Sequence, residues 1–245
     1  MNIDKTYNKR GGGLKLYAMI ISVFFLLAVA AFLVLFIHGG YYEKVMYRLG
    51  LKEREVPVDW TAVSWESCLR GLEIDSDVVF FGDSITRGGE FYRYFPDLEI
   101  VNLGLSGDNL EGMTRRIGMI EAVSPEKIFI MAGINGLTDN NQEEMLSAYE
   151  GLLDGIREAV PGIEIYIESV LPLSRERCGR VTNDGIISFN SRLERLAESE
   201  GCTYVDIHRH YYRDGFMDPD LTGDGIHLNP DAYGLWIDEI APLVY

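Results

Sequence analysis

The feature that most constrains the fold is a regular alternation of short apolar segments with longer, helix-like segments after residue 74. Five apolar segments are predicted strands: Val78–Phe81, Glu99–Leu103, Lys127–Ala132, Glu164–Val170 and Thr203–Ile207. The predicted helices are Leu110–Ala122, Gln142–Val160, Ile186–Glu200 and Pro230–Leu243. Strands joined by helical crossovers run parallel, and a parallel sheet needs helices on both faces. Residues 74–245 are therefore predicted to form an α/β domain of three layers, α/β/α, with a five-stranded parallel sheet.

A long apolar segment precedes this domain. Leu16–Ile37 contains 22 residues without a charge, and at 1.5 Å per residue a helix of this length measures about 33 Å, enough to span a bilayer. We predict a basic cytoplasmic tail over residues 1–15, a transmembrane signal-anchor helix over 16–38, and a juxtamembrane stalk with a lead-in helix over 39–73. Since the basic residues precede the span, the positive-inside rule places the α/β domain outside the cytoplasm.

A cleavable signal peptide is the alternative to an anchor. Ala28-Val29-Ala30 resembles a cleavage site, and cleavage there would release a secreted protein. Seven further residues without a charge follow this site, and the apolar segment is longer than the usual signal core. The length of the segment therefore favours an uncleaved, single-pass anchor.

Composition excludes several functions. The net charge of −16 argues against a nucleic-acid partner, because binding to phosphates needs a basic surface. The three cysteines form no CxxC pair, which argues against a zinc or redox motif, and their disulfide pairing stays open; they are Cys68, Cys178 and Cys202. We expect neither a metal nor an organic cofactor.

The first predicted strand ends in Gly82-Asp83-Ser84. Glycine permits backbone conformations that other residues resist, so Ser84 is presented where a buried strand leaves the sheet. In open α/β sheets, ligands bind beyond the carboxyl ends of the strands. The alternative is that Ser84 caps the next helix, because serine is a good N-cap residue.

Three other polar loops are predicted at the same edge of the sheet. They are Asn102–Asp108 after the second strand, Gly133–Gly136 after the third, and Asp224–His227 before the last helix. A serine hydroxyl is a weak nucleophile until a base removes its proton. His227 is the best candidate base, and Asp224, three residues earlier, can orient its imidazole.

The same loops contain candidate donors for an oxyanion. The Gly107 amide, the Asn135 side chain and the Ser84 amide can each stabilise negative charge that develops on an ester oxygen. Taken alone, Gly107 is also consistent with an ordinary turn, Asn135 with a helix cap or Asx-turn, and Asp224-x-x-His227 with a loop bonded to its own backbone.

Together these four blocks resemble the SGNH, or GDSL, hydrolase superfamily of serine esterases and lipases. The blocks of that family are a GDS serine, a glycine in an N-x-G-x-x-G-like block, an asparagine in G-x-N, and D-x-x-H, and they occur here in the family's order over residues 74–245. The resemblance implies the flavodoxin-like fold of the superfamily. It also implies Ser84 as nucleophile, His227 as base, Asp224 as its orienting acid, and an oxyanion hole of Ser84, Gly107 and Asn135.

Two sequence details qualify the resemblance. The third block of the family usually reads G-x-N-D, and Gly136 replaces the aspartate, so the Asn135 loop is expected to be held less firmly. No G-x-S-x-G elbow is present, which disfavours the ordinary α/β-hydrolase fold.

The expected function is that of a membrane-anchored, extracytoplasmic esterase that acts on short acyl esters, such as glycan O-acetyl groups, or on lipid esters. The alternative is a non-hydrolytic or acyl-transferring domain that acts on cell-surface glycan with a membrane partner.

Overall fold

The computed structural model describes residues 69–71 and 74–245, together with five isolated positions, 19, 22, 23, 25 and 29, all of them helical. The chain divides into two units, residues 1–58 and 59–245, and only the second is described at length. None of the helices within these described residues is long and apolar enough to span a bilayer. The predicted cytoplasmic tail, most of the predicted anchor and most of the stalk lie outside the described residues.

The second unit contains a five-stranded sheet. Its strands are β1 (Val78–Gly82), β2 (Ile100–Asn102), β3 (Lys127–Met131), β4 (Glu164–Glu168) and β5 (Thr203–Val205). All neighbouring strands pair in parallel, in the order β2-β1-β3-β4-β5. The predicted five-stranded parallel sheet is confirmed. The strand order reverses between β1 and β3, and such a switch point is where an open α/β sheet forms a ligand crevice.

Within residues 74–245, six helices and one small hairpin lie around this sheet. The helices are α1 (Ser84–Gly88), α2 (Leu110–Arg115), α3 (Gly118–Glu121), α4 (Gln142–Ala159), α5 (Asn183–Ser199) and α6 (Tyr233–Val244). The hairpin consists of β6 (Tyr212–Arg213) and β7 (Phe216–Met217), and short 3₁₀ turns lie at Phe91–Arg93, His208–His210, Pro219–Leu221 and Pro230–Ala232.

Alternating side chains of the strands form two separate cores. Val79 and Phe81 of β1 face the core that contains residues of α2, α3, α4 and α5. Val78 and Phe80 face the opposite core, which contains residues of α1 and α6. On that side, the Phe80 ring stacks on Phe91 with centroids 3.7 Å apart. Successive side chains of a strand point to opposite faces, so the continuous apolar runs in the sequence fill both layers.

Two predicted helices differ from the observed ones. The helix predicted over residues 110–122 is broken into α2 and α3, because the chain turns at Arg116 and its side chain enters the interior instead of the solvent. The helix predicted from Pro230 begins as a 3₁₀ turn capped by Asn229 before α6 starts at Tyr233. The other strand and helix boundaries lie within a few residues of their predicted positions.

Candidate active site

Ser84 lies two residues after the end of β1, at the switch point of the sheet. Gly82 is required there, since a Cβ atom would lie 2.2 Å from Thr86 Oγ1 and 2.6 Å from the carbonyl oxygen of Met131. Asp83, and not Ser84, is the N-cap of α1, and its Oδ1 accepts the N–H of Ile85 at 2.8 Å. The hydroxyl of Ser84 is therefore not used for capping.

Ser84, His227 and Asp224 form a continuous hydrogen-bonded chain. Ser84 Oγ lies 2.8 Å from His227 Nε2, and His227 Nδ1 lies 2.7 Å from Asp224 Oδ2. A carboxylate accepts the Nδ1–H proton, which leaves Nε2 as an acceptor for the serine hydroxyl. Hydrogen bonds from the imidazole and from the backbone N–H of His227 lower the pKa of Asp224 well below its ordinary range. Asp224 is thus ionised and fixes the tautomer of His227.

The loop that carries His227 is closed on itself. Thr222 Oγ1 donates to the carbonyl oxygen of His227 at 2.6 Å and accepts the N–H of Gly225 at 2.9 Å. Arg177, in the loop after β4, donates from Nε to the carbonyl oxygen of Asp224 at 2.7 Å. Gly225 has a φ of +86°, and a Cβ there would meet Ser174 Oγ at 2.3 Å. The imidazole is therefore held by its own loop and by the neighbouring one.

Gly107 lies in the loop between β2 and α2, and its backbone adopts a φ of +76°. No atom lies within 4 Å of the position of a Cβ at this residue, so the left-handed conformation, and not lack of space, favours glycine here. The residue is exposed. The loop of Gly107 is tied to the end of β1, since the N–H of Leu105 donates to the carbonyl oxygen of Gly82 at 3.0 Å, and the role of the Gly107 N–H as an oxyanion donor stays a prediction.

Asn102 ties this loop to the helix that begins at Ser84. Its side-chain amide donates to the carbonyl oxygens of Thr86 and Gly89, both at 2.8 Å, and its Oδ1 accepts the N–H of Gly104 at 2.8 Å. A Cβ at Gly104 would lie 2.2 Å from the backbone nitrogen of Arg87. The asparagine and the glycine of the N-x-G block thus let the second loop pack directly on α1.

Asn135 connects the third loop to the first two. Its Nδ2 donates to the carbonyl oxygen of Asp108 at 2.7 Å and lies 3.4 Å from Asp83 Oδ2. The first contact is a strong hydrogen bond and the second is long and weak. The carbonyl group of Asp108 therefore orients the Asn135 amide. The other Nδ2 hydrogen of Asn135 makes only the weak contact with Asp83.

Asp83 is a buried carboxyl at the centre of these loops, with 2% of its surface exposed. Burial raises its pKa to about 6, against the lowering effects of the Ile85 N–H and the charge of His227. Its side chain contacts the N-terminus of α1 and Asn135. Sequence reasoning assigned no role to Asp83 beyond the GDS motif.

Gly136 does not leave the Asn135 loop unsupported. Its N–H donates to the carbonyl oxygen of Gly133 at 2.9 Å, and its own carbonyl oxygen accepts the Asn141 side-chain amide at 3.0 Å. Asn141 Oδ1 also accepts the N–H of Thr138 at 2.7 Å. Asn141 therefore closes this loop in the absence of the aspartate, and the expected loosening stays a prediction.

Sequence reasoning missed Arg116, whose side chain is buried behind the loops of the site. In the helix predicted over residues 110–122, Arg116 shares a face with Met113, three residues earlier, and Ile120, four residues later, and both of those residues are fully buried. A charged residue on an apolar helical face was the available signal.

The two cysteines in the described residues, Cys178 and Cys202, are free thiols.

A pocket of about 320 Å³ opens beside Ser84 and His227. Its remaining lining residues are Gly88, Glu90, Tyr94, Leu228, Pro230 and Tyr233. Tyr233 also donates from its hydroxyl to the carbonyl oxygen of Ile85 at 2.7 Å. The pocket is therefore a cleft with both polar and apolar lining, and Glu90 contributes to its lining.

The fold and the site define an α/β protein with a serine–histidine–aspartate chain at the switch point of a parallel sheet. The profile of the GDSL-like Lipase/Acylhydrolase family matches residues 80–235, more than half of the chain. The protein belongs to this family, and the resemblance of its four sequence blocks to GDSL hydrolases is confirmed. A comparison with curated protein sequences found no significant match.

Solved structures share the fold. A GDSL-like lipase from Bacteroides thetaiotaomicron superposes with a TM-score of 0.63 at 22% identity, over 75% of this chain and 96% of that chain. A mutant acetyl-xylooligosaccharide esterase from Geobacillus has a TM-score of 0.55 at 16% identity, over 70% and 96%. The periplasmic domain of a lipopolysaccharide acetyltransferase from Salmonella ser. Paratyphi A has a TM-score of 0.53 at 14% identity, over 78% and 98%. At these identities the likeness concerns the fold alone.

Proposed function

We propose that the protein is a serine esterase with Ser84 as its nucleophile. The observation that supports this most directly is the unbroken chain Ser84–His227–Asp224, with distances of 2.8 and 2.7 Å. His227 Nε2 takes the proton of Ser84 as Oγ attacks the ester carbonyl, and Asp224 stabilises the imidazolium that forms. The imidazolium then protonates the leaving alcohol, and Ser84 carries the acyl group.

The tetrahedral intermediate carries an oxyanion that needs donors. We assign these to the N–H groups of Ser84 and Gly107 and to the Asn135 side-chain amide. Ser84 opens α1, where the first N–H groups have no acceptor within a helix. Asn135 contributes the hydrogen that faces Asp83, since a 3.4 Å contact is weak enough for an oxyanion to displace.

Hydrolysis of the acyl-enzyme requires water at His227. The side chains of His227 and Asp224 are 46% and 42% exposed, so water can reach Nε2, be deprotonated there and attack the acyl carbonyl. This exposure favours hydrolysis over a transfer reaction, which must exclude water.

Acyl transfer is the second candidate function. The fold is also that of a lipopolysaccharide acetyltransferase periplasmic domain, and the chemistry up to the acyl-enzyme is the same. A glycan hydroxyl would replace water in the second half-reaction. A product assay with and without an oligosaccharide acceptor distinguishes the two, because transfer yields an acylated sugar instead of free acid.

For the substrate, we propose a short acyl ester such as a glycan O-acetyl group. The pocket beside Ser84 holds about 320 Å³, which accommodates a short acyl group. Tyr94 at its edge offers an aromatic face to a sugar ring, and the Glu90 carboxylate can accept hydrogen bonds from hydroxyl groups. Lipid esters are the competing class, and chain-length dependence on p-nitrophenyl esters separates them.

We also propose that residues 16–38 anchor the protein in the membrane with the esterase domain outside the cytoplasm. The support is the uncharged segment and the basic residues before it. N-terminal sequencing of the native protein tests this. A mature protein that starts near Ala31 would show a cleaved signal peptide and a secreted enzyme.

Labelling with a fluorophosphonate tests the nucleophile. The full-length wild-type protein is expected to bind the probe covalently, and Ser84→Ala is expected to lose the label. Ser191→Ala is the matched control, because Ser191 is an exposed serine on α5 whose hydroxyl donates to the carbonyl of Ile187. Equal labelling of wild type and Ser84→Ala would remove Ser84 from its role, and no labelling of folded wild type would refute the esterase.

A further inference from the structure

Arg116 is a buried cation behind the candidate active site. Its side chain is 3% exposed, and it lies at the C-terminal end of α2, where the chain turns inward. Its Nε donates to Asp108 Oδ2 at 2.6 Å, and the Asp108 side chain is 7% exposed. The guanidinium carbon also lies 4.1 Å from the centre of the Phe81 ring.

Two further contacts of the Arg116 side chain lie where the chain enters the loops that carry Ser84 and Gly107. One terminal nitrogen donates to the carbonyl oxygen of Leu103 at 2.6 Å. The other donates to the carbonyl oxygen of Gly82 at 2.9 Å, two residues before Ser84. A planar guanidinium holds its donors in a fixed fork, so one rigid group bridges these two loops from behind, in addition to the contacts of Asn102.

The third loop joins through Asp108. The carboxylate of Asp108 binds Arg116, and its carbonyl oxygen accepts the Asn135 amide at 2.7 Å. Gly107 immediately precedes Asp108. A displacement of Asp108 would therefore move both the Gly107 amide and the side chain of Asn135.

A buried ion pair is poor evidence of a stabilising role. The cost of removing two charges from water offsets most of their attraction, and apolar residues of similar size often stabilise a protein more. Arg116 lies at the edge of an apolar cluster that includes Met113 and Ile120, where an apolar residue would suit the packing. Stability alone therefore does not explain why a guanidinium group with these contacts lies at position 116.

We propose that Arg116 is the positioning residue of the oxyanion hole. It holds Gly107 and, through the carbonyl group of Asp108, Asn135 in place relative to Ser84. This inference rests on the proposed esterase function for its catalytic consequence. Its structural consequence, a fixed loop over residues 103–109, does not depend on activity.

The test is Arg116→Lys, which keeps the charge and loses the fork, compared with Arg157→Lys. Arg157 is a matched control, because it also binds a carboxylate and a backbone carbonyl, those of Glu200, but lies at the end of α4 away from Ser84. We expect Arg116→Lys to lower kcat for p-nitrophenyl acetate by about 10- to 100-fold, in the range for a weakened oxyanion donor, with KM changed little. Arg157→Lys should lose stability without this loss of kcat.

Hydrogen exchange supplies a readout that needs no turnover. Backbone amides of residues 104–109 should exchange at least about tenfold faster in Arg116→Lys than in wild type or Arg157→Lys, since the loop loses its fixed contacts. If Arg116→Lys does not fold, Asp108→Asn tests the same link, because the carbonyl contacts of Arg116 remain while its ionic contact is removed.

The outcomes separate the two hypotheses. If the wild-type protein folds but neither hydrolyses ester nor binds fluorophosphonate, the proposed esterase function is refuted. The hydrogen-exchange data still decide whether Arg116 positions the loop over residues 103–109. Active wild type together with an Arg116 variant whose kcat matches Arg157→Lys overturns the positioning role. Unchanged exchange over residues 104–109 overturns it as well.

Discussion

Asp224 uses its two carboxylate oxygens for different purposes toward His227. Oδ2 accepts the imidazole Nδ1–H at 2.7 Å, and Oδ1 accepts the backbone N–H of the same residue at 2.8 Å. One carboxylate therefore fixes both the fold of the turn and the tautomer of the ring. A substitution that preserves the turn can separate these roles.

Asp224→Asn is expected to keep the fold and lose catalysis. The amide retains one oxygen for the backbone N–H groups, but it presents a donor or a neutral acceptor to Nδ1 and no longer stabilises an imidazolium. We expect kcat for p-nitrophenyl acetate to fall by about 10²- to 10⁴-fold with little change in KM. Asp220→Asn is the control, since the Asp220 carboxylate is 79% exposed and pairs with Arg213 at the surface. A variant that retains more than a tenth of wild-type kcat would contradict the role of Asp224.

Gly107→Ala should separate backbone strain from catalysis. Both Gly107 and Gly201 have a positive φ, of +76° and +66°, and neither has an atom within 4 Å of a Cβ position. Alanine at either site should cost about 1 kcal/mol of unfolding free energy, because the left-handed conformation is strained. Only Gly107→Ala should also lower kcat, because relief of the backbone strain would turn the N–H of residue 107, the proposed oxyanion donor, out of its position. Equal kcat in the two variants would argue against that donor.

Glu168 should make stability depend on pH. It is fully buried, and burial raises its pKa to about 8 from an ordinary value of 4.5. Between these values the folded protein retains a proton that the unfolded chain releases, so the free energy of unfolding falls as pH rises. The slope should reach about 1.4 kcal/mol per pH unit.

Glu168→Gln tests this dependence, because it cannot ionise and keeps an oxygen for Trp236 Nε1–H. Glu168 Oε2 has no hydrogen-bond partner among the described residues, so no second bond is lost. Urea unfolding from pH 5 to pH 8 should show the variant gaining stability relative to wild type as pH rises. Glu150→Gln, an exposed carboxyl on α4, should follow wild type. Parallel curves for Glu168→Gln and wild type would contradict the prediction.

Substitution of Asn141 should lower stability and kcat more than substitution of Gly136. At Gly136 a Cβ would meet only the Met145 thioether, at 3.2 Å from Sδ, and that flexible group can move, so Gly136→Ala should keep kcat within about threefold. Asn141→Ala removes the two bonds that close the Asn135 loop and should cost about 1–3 kcal/mol and lower kcat. Thermal unfolding and p-nitrophenyl acetate turnover measure both effects. Lower kcat in Gly136→Ala than in Asn141→Ala would reverse the assignment.

The layered fold followed from local patterns. Apolar runs of strand length separated by helical segments specify a parallel sheet, because each element needs an apolar partner layer. The order of the four blocks indicated that Ser84, Gly107, Asn135 and His227 would lie at one edge. In the structure their loops meet there through the hydrogen bonds of Ser84 with His227 and of Asn135 with Asp108 and Asp83.

The sequence by itself thus determined the class of fold, the edge of the sheet where the polar loops gather and the residues that could do chemistry there. Only the tertiary structure decided that Asp83 caps α1, that Asn141 holds the Asn135 loop, and that Arg116 turns inward to Asp108. The physical reason is that hydrophobic periodicity and turn preferences act over a few residues. The direction of a buried polar side chain depends on partners that are distant in sequence, such as Gly82 for Arg116, and those partners meet only when the layers pack.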